Sequence, residues 1–124
     1  MITTHRCNFE ALKPYVKEAK SAGILFIPTT TYWLAATETG EITGFGGLSI
    51  KTNYAISKSL YVLPAHRRKG IGRKLINDQI VFLKLNGYKR MIANCLPASL
   101  DLYLSFGAKV ITEYKAATKV EIIL

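Results

Sequence analysis

Five cations crowd into eight residues at Arg67, Arg68, Lys69, Arg73 and Lys74, with Gly70 and Gly72 between them. That pattern describes an anion cradle. Glycine lets the backbone approach a bulky anion with no Cβ in the way. A helix opening at these glycines presents first-turn N–H groups that have no intrahelical partner, at the positive end of its dipole. A carboxylate does not need this much charge; a pyrophosphate does. Three other phosphate-loop patterns come close and fail. Gly44-Phe45-Gly46-Gly47-Leu48-Ser49 nearly reads as a dinucleotide fingerprint, but Ser49 stands where the third glycine belongs and the segment reads as strand. Ile50-Lys51-Thr52 looks like the end of a Walker loop without its glycine, and no helix follows. Gly70-Ile71-Gly72 has Leu75 at the third glycine position. Gly44, Gly46 and Gly47 are expected instead to permit a bulge or a close backbone approach.

The elements that must position this cradle follow from periodicity and punctuation. Residues 2–6 read as a short edge strand and residues 12–22 as a helix, with Pro14 in its first turn and Gly23 as its stop. Residues 31–37 and 42–50 read as strands joined by the turn Glu38-Thr39-Gly40-Glu41. A third strand, residues 54–63, ends at Pro64, and the three make an antiparallel meander. Ile71, Leu75, Ile76, Ile80, Leu83 and Leu85 then recur at helical spacing up to Asn86-Gly87. Residues 89–95 form a strand, Pro97 opens a further helix carrying Leu100, Leu102, Tyr103 and Phe106 that Gly107 stops, and residues 110–114 and 120–124 form a last hairpin. The order βαβββαβαββ predicts a mixed α/β fold: one twisted, largely antiparallel sheet with helices on both faces.

Composition narrows the function further. The 124 residues predict a single domain over 1–124 with one core and one site. Seventeen Lys+Arg against eight Asp+Glu leave a net charge of +9, which calls for an anionic partner. No apolar run is long enough to span a membrane, and the first residues lack the apolar core of a signal peptide. Cys7 and Cys95 stand 88 positions apart with no paired-cysteine spacing, so two free thiols in the cytoplasm are expected. His5 and His66 stand alone, so no metal site is expected.

The pattern Arg67-x-x-Gly70-x-Gly72, after Val62-x-Pro64, resembles the acetyl-CoA-binding motif of the GNAT N-acetyltransferase superfamily. The resemblance covers nearly the whole chain, because the element order matches too. It implies that backbone N–H groups of Arg68, Lys69, Gly70, Ile71 and Gly72 hold the pyrophosphate of acetyl-CoA, with Arg67 and Arg73 as supporting cations. It also implies that the strand carrying Leu60 and Val62 splays from the strand at residues 92–95. The pantetheine arm would lie in that gap on exposed backbone, and an N–H near Val62 would polarise the thioester. Leu102-Tyr103-Leu104-Ser105-Phe106-Gly107-Ala108 parallels the family's LYxxxGF signature, which makes Tyr103 the proton donor to the departing thiolate. The implied reaction is transfer of an acetyl group from acetyl-CoA, as cosubstrate, to a primary amine by direct attack in a ternary complex.

This sequence departs from the family in ways that matter. Leu96 stands where an asparagine is usual, with Asn94 two positions earlier, and Ala108 replaces a phenylalanine. Many relatives carry a glutamate at the position of Ile56 or Lys58, yet no carboxylate occurs between Glu41 and Asp78. A water relay, a distant carboxylate such as Glu113, or an acceptor that arrives neutral would then replace the base. Ser57, Ser59 and Tyr61 either line the site or are solvent-facing alternates of their strand. Residues 24–30 are too short for the helix that usually walls the acceptor, which predicts an open, shallow acceptor site. Lys58 argues against a polycationic acceptor. Two alternatives stay open. One is acyl transfer to a nucleic acid or other phosphate-bearing acceptor, with Tyr32, Trp33 and Tyr54 available to stack or to pack; the charge permits nucleic acid without requiring it. The other is a non-catalytic CoA-binding module. A homodimer through the apolar residues 120–124 is also allowed.

Overall fold

A computed structural model describes residues 2–27 and 30–124. The strands are β1 (Thr3–Cys7), β2 (Tyr32–Glu38), β3 (Glu41–Ile50), β4 (Tyr54–Val62), β5 (Arg90–Cys95), β6 (Lys109–Glu113) and β7 (Thr118–Ile123). The helices are α1 (Lys13–Ser21), α2 (Ile71–Leu85) and α3 (Pro97–Leu104), and short 3-10 turns cover Phe9–Leu12 and Pro64–His66. All seven strands share one sheet in the order β1-β2-β3-β4-β5-β7-β6. Every pairing is antiparallel except β4 with β5. The expected order and mixed, largely antiparallel character are therefore observed. The single parallel pair is a consequence of the α2 crossover, since parallel neighbours cannot be joined by a hairpin.

Alternation along the strands divides the core between two faces. Trp33, Phe45 and Tyr61 point to one face, where Leu12 and Ala19 of the α1 region cover them. Leu48, Ala55, Met91, Ala93, Val120 and Ile122 point to the other and pack against Ile76, Ile80 and Leu83 of α2 and Tyr103 of α3. Ile71 and Leu75 cover Leu34 and Ala36 on that same face. The three glycines of β3 make this packing close, as expected. A Cβ on Gly44 would stand 2.9 Å from Ile71 Cγ2 and 3.1 Å from the Tyr61 carbonyl oxygen. A Cβ on Gly47 would stand 2.9 Å from Trp33 Cζ3 on the opposite face.

Several expectations are corrected. Leu85, counted in the apolar stripe of α2, is 81% exposed, because the last turn runs past the sheet. The apolar residues 120–124, noted above as allowing a homodimer, lie mostly on an inner strand. Strand β7 lies between β5 and β6, and Val120 and Ile122 are buried, so β6 is the exposed edge on that side. The aromatics offered for stacking are used in packing: Trp33 lies among Phe9 and Phe26, Tyr32 packs on Phe82, and Arg90 covers Tyr54. Of the connection 24–30, Pro28 and Thr29 lie outside the described residues. Among the described residues no helix is long and apolar enough to cross a membrane, and no His, Cys, Asp and Glu cluster could hold a metal.

Candidate active site

The site begins with an irregularity in β4. Pairing with β5 runs from Tyr54↔Arg90 to Ser57↔Ala93 and then stops. Between the pairs Gly47↔Lys58 and Phe45↔Tyr61, β4 carries one residue more than β3. Ser59 adopts φ +57 within this bulge, a conformation that costs a non-glycine residue about 1 kcal/mol. A hydrogen bond from Ser59 Oγ to the Leu25 carbonyl holds it there. Beyond the bulge β4 stays with β3, while Asn94 and Cys95 stay with β7, and the sheet opens into a gap. The Leu63 N–H donates to the Thr43 carbonyl at 2.9 Å. Antiparallel alternation therefore turns the N–H and C=O of Val62, and of Leu60 before it, away from β3 and toward the gap. The Val62 carbonyl accepts Arg67 Nε at 3.0 Å.

The extra residue also reverses which side chains face which side. Ser57 and Ser59 line the cleft, whereas Tyr61 turns under α1, where its hydroxyl donates to Glu18 at 2.9 Å. Tyr61 is thus a core residue and not a site residue. Burial, together with that hydrogen bond, pushes its phenol above the ordinary range.

At the open end of the gap stands the basic turn. Arg68 (φ +64) and Gly70 (φ +76) both take left-handed backbone, and a Cβ on Gly70 would meet nothing within 4 Å. Among the described residues the N–H groups of residues 68–73 find no hydrogen-bond acceptor, and the first helical amide to be satisfied is Lys74, which donates to the Gly70 carbonyl at 3.0 Å. A row of free N–H groups at alternating left-handed positions is a concavity for anions. The side chains are less free than the sequence suggests. Arg67 lies over the Tyr61 ring, Arg73 donates to Ser105 Oγ at 3.1 Å and lies over Phe106, Lys69 sits 3.9 Å from Glu38, and Lys74 sits 3.8 Å from Asp78. Gly72 also differs from expectation. A Cβ there would stand 2.9 Å from Leu102 Cδ2, so this glycine lets α3 approach α2 rather than clearing room for a ligand.

Where β4 and β5 part, a cleft of about 320 Å³ opens between β4, the start of α3 and residues 23–27. Tyr103 reaches it from α3 and is 2% exposed. Its hydroxyl lies 2.7 Å from Ser57 Oγ, which donates to Gln79 Oε1 at 2.7 Å. Gln79 Nε2 in turn donates to the Gly47 carbonyl at 3.4 Å. Burial drives the Tyr103 phenol far above its usual range, an effect only partly offset by Ser57. Asn94 and Leu96 both face the cleft, as does Lys58, whose ammonium is pushed down by burial and by the nearby Lys51. No carboxylate lines the cleft among the described residues, and Glu113 lies on β6. Gln79 was not singled out from the sequence. Its signal is a polar residue on the buried stripe, between Ile76 and Ile80 and fully buried like Leu75 and Leu83.

Comparisons bear on what such a site belongs to. The sequence profile described as "Acetyltransferase (GNAT) family" matches residues 3–108. No curated protein matches the chain. Among solved structures, the PaiA N-acetyltransferase of Thermoplasma acidophilum, in complex with coenzyme A, is similar with a TM-score of 0.83 at 18% identity, covering 100% of this chain and 99% of that one. The ribosomal-protein-S18-alanine N-acetyltransferase of Escherichia coli is similar with a TM-score of 0.77 at 18% identity, covering 100% and 93%. At these identities the structural likeness speaks for the fold.

Proposed function

This chain belongs to the acetyltransferase (GNAT) family, and from that premise we propose that it transfers an acetyl group from acetyl-CoA to a primary amine in one ternary complex. The observation that carries the reading is the continuity of the cradle, the gap and Tyr103 along one edge of β4. The free N–H groups of Arg68, Lys69, Gly70, Ile71 and Gly72 would take the pyrophosphate, with Arg67 and Arg73 beside them. The gap-facing backbone of Leu60 and Val62 would pair with the pantetheine arm. The bound acetyl-CoA supplies an activated acyl carbon and a thiol leaving group. The Val62 N–H would polarise the thioester carbonyl. The amine nitrogen attacks that carbon, a C–N bond forms, the C–S bond breaks, and the nitrogen gives up one proton. Tyr103 donates a proton to the departing sulfur and is reprotonated as the nitrogen's proton leaves. With no carboxylate in the cleft among the described residues, the amine enters neutral or releases its proton to water. The domain is residues 1–124, and free thiols at Cys7 and Cys95 suit the cytoplasm.

Thiol release from acetyl-CoA with a panel of primary amines tests the activity. Tyr103→Phe is expected to lower kcat by about 100-fold while acetyl-CoA binds within about twofold of wild type. Loss of acetyl-CoA affinity with kcat retained would remove Tyr103 from the acid role.

A further inference from the structure

The acceptor end of the cleft holds one charged side chain among its described lining residues, Lys58, which is half-buried. Around it the walls are Ile56 of β4, Leu25 and Ile27 of the connection, and Leu96 at the start of α3. No carboxylate of the described residues pairs with its ammonium, although other lysines near acids do find partners. Lys58 lines the same cleft as Tyr103, at the point where β4 leaves β5, with its side chain on the opposite face of the sheet from that of Ser57. Burial and Lys51 both work against the ammonium, which is the condition of a cation without a counter-ion. A bound anion would offset both.

We propose that the acceptor carries a carboxylate beside its reacting amine, and that Lys58 pairs with this carboxylate while Leu25, Ile27 and Leu96 contact an apolar remainder. The acceptor class is therefore an apolar amino acid or a molecule with the same end. The inference rests on the acetyltransferase reading above. A carboxylate is favoured over a phosphate because, among the described residues, Lys58 alone of the charged side chains lines the cleft, Lys51 standing near it but outside the lining, whereas the row of N–H groups at residues 68–73 is the place proposed above for a polyanion. A cationic tail is disfavoured by direct repulsion from Lys58.

The experiment compares leucine, leucinamide and 3-methylbutylamine as acceptors, following thiol release from acetyl-CoA at pH 8. Wild type is expected to show a kcat/KM for leucine about tenfold or more above both neutral-tailed amines. Amine basicity alone predicts the reverse for leucinamide, whose amine is the least basic and hence the most deprotonated. Lys58→Gln is expected to bring the leucine-to-leucinamide ratio toward one through KM, and Lys58→Arg to keep it well above one. A wild-type preference for either neutral-tailed amine, or a ratio that Lys58→Gln leaves unchanged, overturns the inference and leaves the acetyltransferase reading standing. Thiol release with none of these amines, nor with any other primary amine, by a chain that binds acetyl-CoA overturns that reading and the inference together.

Discussion

The Tyr103 hydroxyl has one proton and the Ser57 hydroxyl has one, and Ser57 spends its proton on Gln79 Oε1. The Gln79 amide is oriented by its Nε2, which faces the Gly47 carbonyl. In this arrangement Tyr103 must be the donor to Ser57. Release of its proton toward the cleft requires Ser57 to turn and donate to the phenol instead, a rotation of one hydroxyl with no heavy atom moving. Ser57→Ala removes the shared partner and leaves Tyr103 and Gln79 Oε1 unsatisfied in a buried place. A loss of about 1–3 kcal/mol in stability is expected, read by urea unfolding. The pH profile follows from the same residues. An acid whose phenol is driven above its usual 10.0 stays protonated through the alkaline range, and among the described residues the cleft offers no carboxylate to titrate near neutrality. With an amine lacking a carboxylate, kcat/KM is expected to rise with pH along the acceptor's own ionisation. The inflection should move when a less basic amine is substituted; a fixed inflection near pH 6 would point to an enzyme base. Cys95 links stability to pH. Burial pushes its thiol from 9.0 up to about 11, so the folded state holds a proton that the unfolded chain releases. Stability is therefore lost as pH rises from 9 toward 11, and Cys95→Ser is expected to flatten the fall of Tm in that window.

Among the elements, β4 and α2 determine most of the site. The bulge at Ser59 separates β4 from β5, turns the Leu60 and Val62 backbone to the gap and sends Tyr61 into the core. Helix α2 lies directly on the backbone of β3 because Gly44 and Gly46 leave room for it. Gly44→Ala would press a methyl against Ile71 and against the Tyr61 carbonyl, and a backbone oxygen cannot rotate away. A cost of about 1–3 kcal/mol is expected in thermal or urea unfolding. Gly72→Ala meets only the tip of Leu102, which can turn aside. Its expected stability loss is smaller than that of Gly44→Ala, because a side-chain tip yields where a backbone oxygen does not. An ordering with Gly72→Ala the more destabilising would mean that the helix contact is tighter than the sheet contact.

For the whole molecule, the charge of +9 is the balance of seventeen cations and eight acids, and most of the cations near the cradle are already engaged within the fold. Of the five cations around the cradle, Arg67 and Arg73 hold β4 and α3, while Lys69 and Lys74 reach Glu38 and Asp78. The backbone N–H row, rather than the summed side-chain charge, would be the constant part of the proposed anion site. Arg68→Ala is expected to weaken acetyl-CoA binding about three- to tenfold and to reduce its salt dependence, as measured by calorimetry at two ionic strengths. Lys74→Ala, whose ammonium lies on the β1 side of α2 with Asp78, is expected to stay within about twofold.

Element order, the mixed sheet and the glycine-bearing turn that opens α2 were legible in the residues themselves, while the parting of β4 from β5 was an expectation of the family resemblance. The first three rest on local chemistry: apolar periodicity, turn residues, and a glycine-bearing turn contiguous with the helix it opens. The resemblance could single out Tyr103 because the signature around it lies within seven adjacent residues. What only the tertiary structure decided depends on contacts between distant segments. Ser57 meets Gln79 across 22 residues and Tyr103 across 46. One extra residue in β4 reverses the facing of everything after it, and alternation read along the sequence cannot locate that residue, because Ser59 is no stronger a bulge signal than its neighbours. That reversal put Tyr61 in the core. The isolation of Lys58 likewise became visible only once the fold had put every described acid somewhere else.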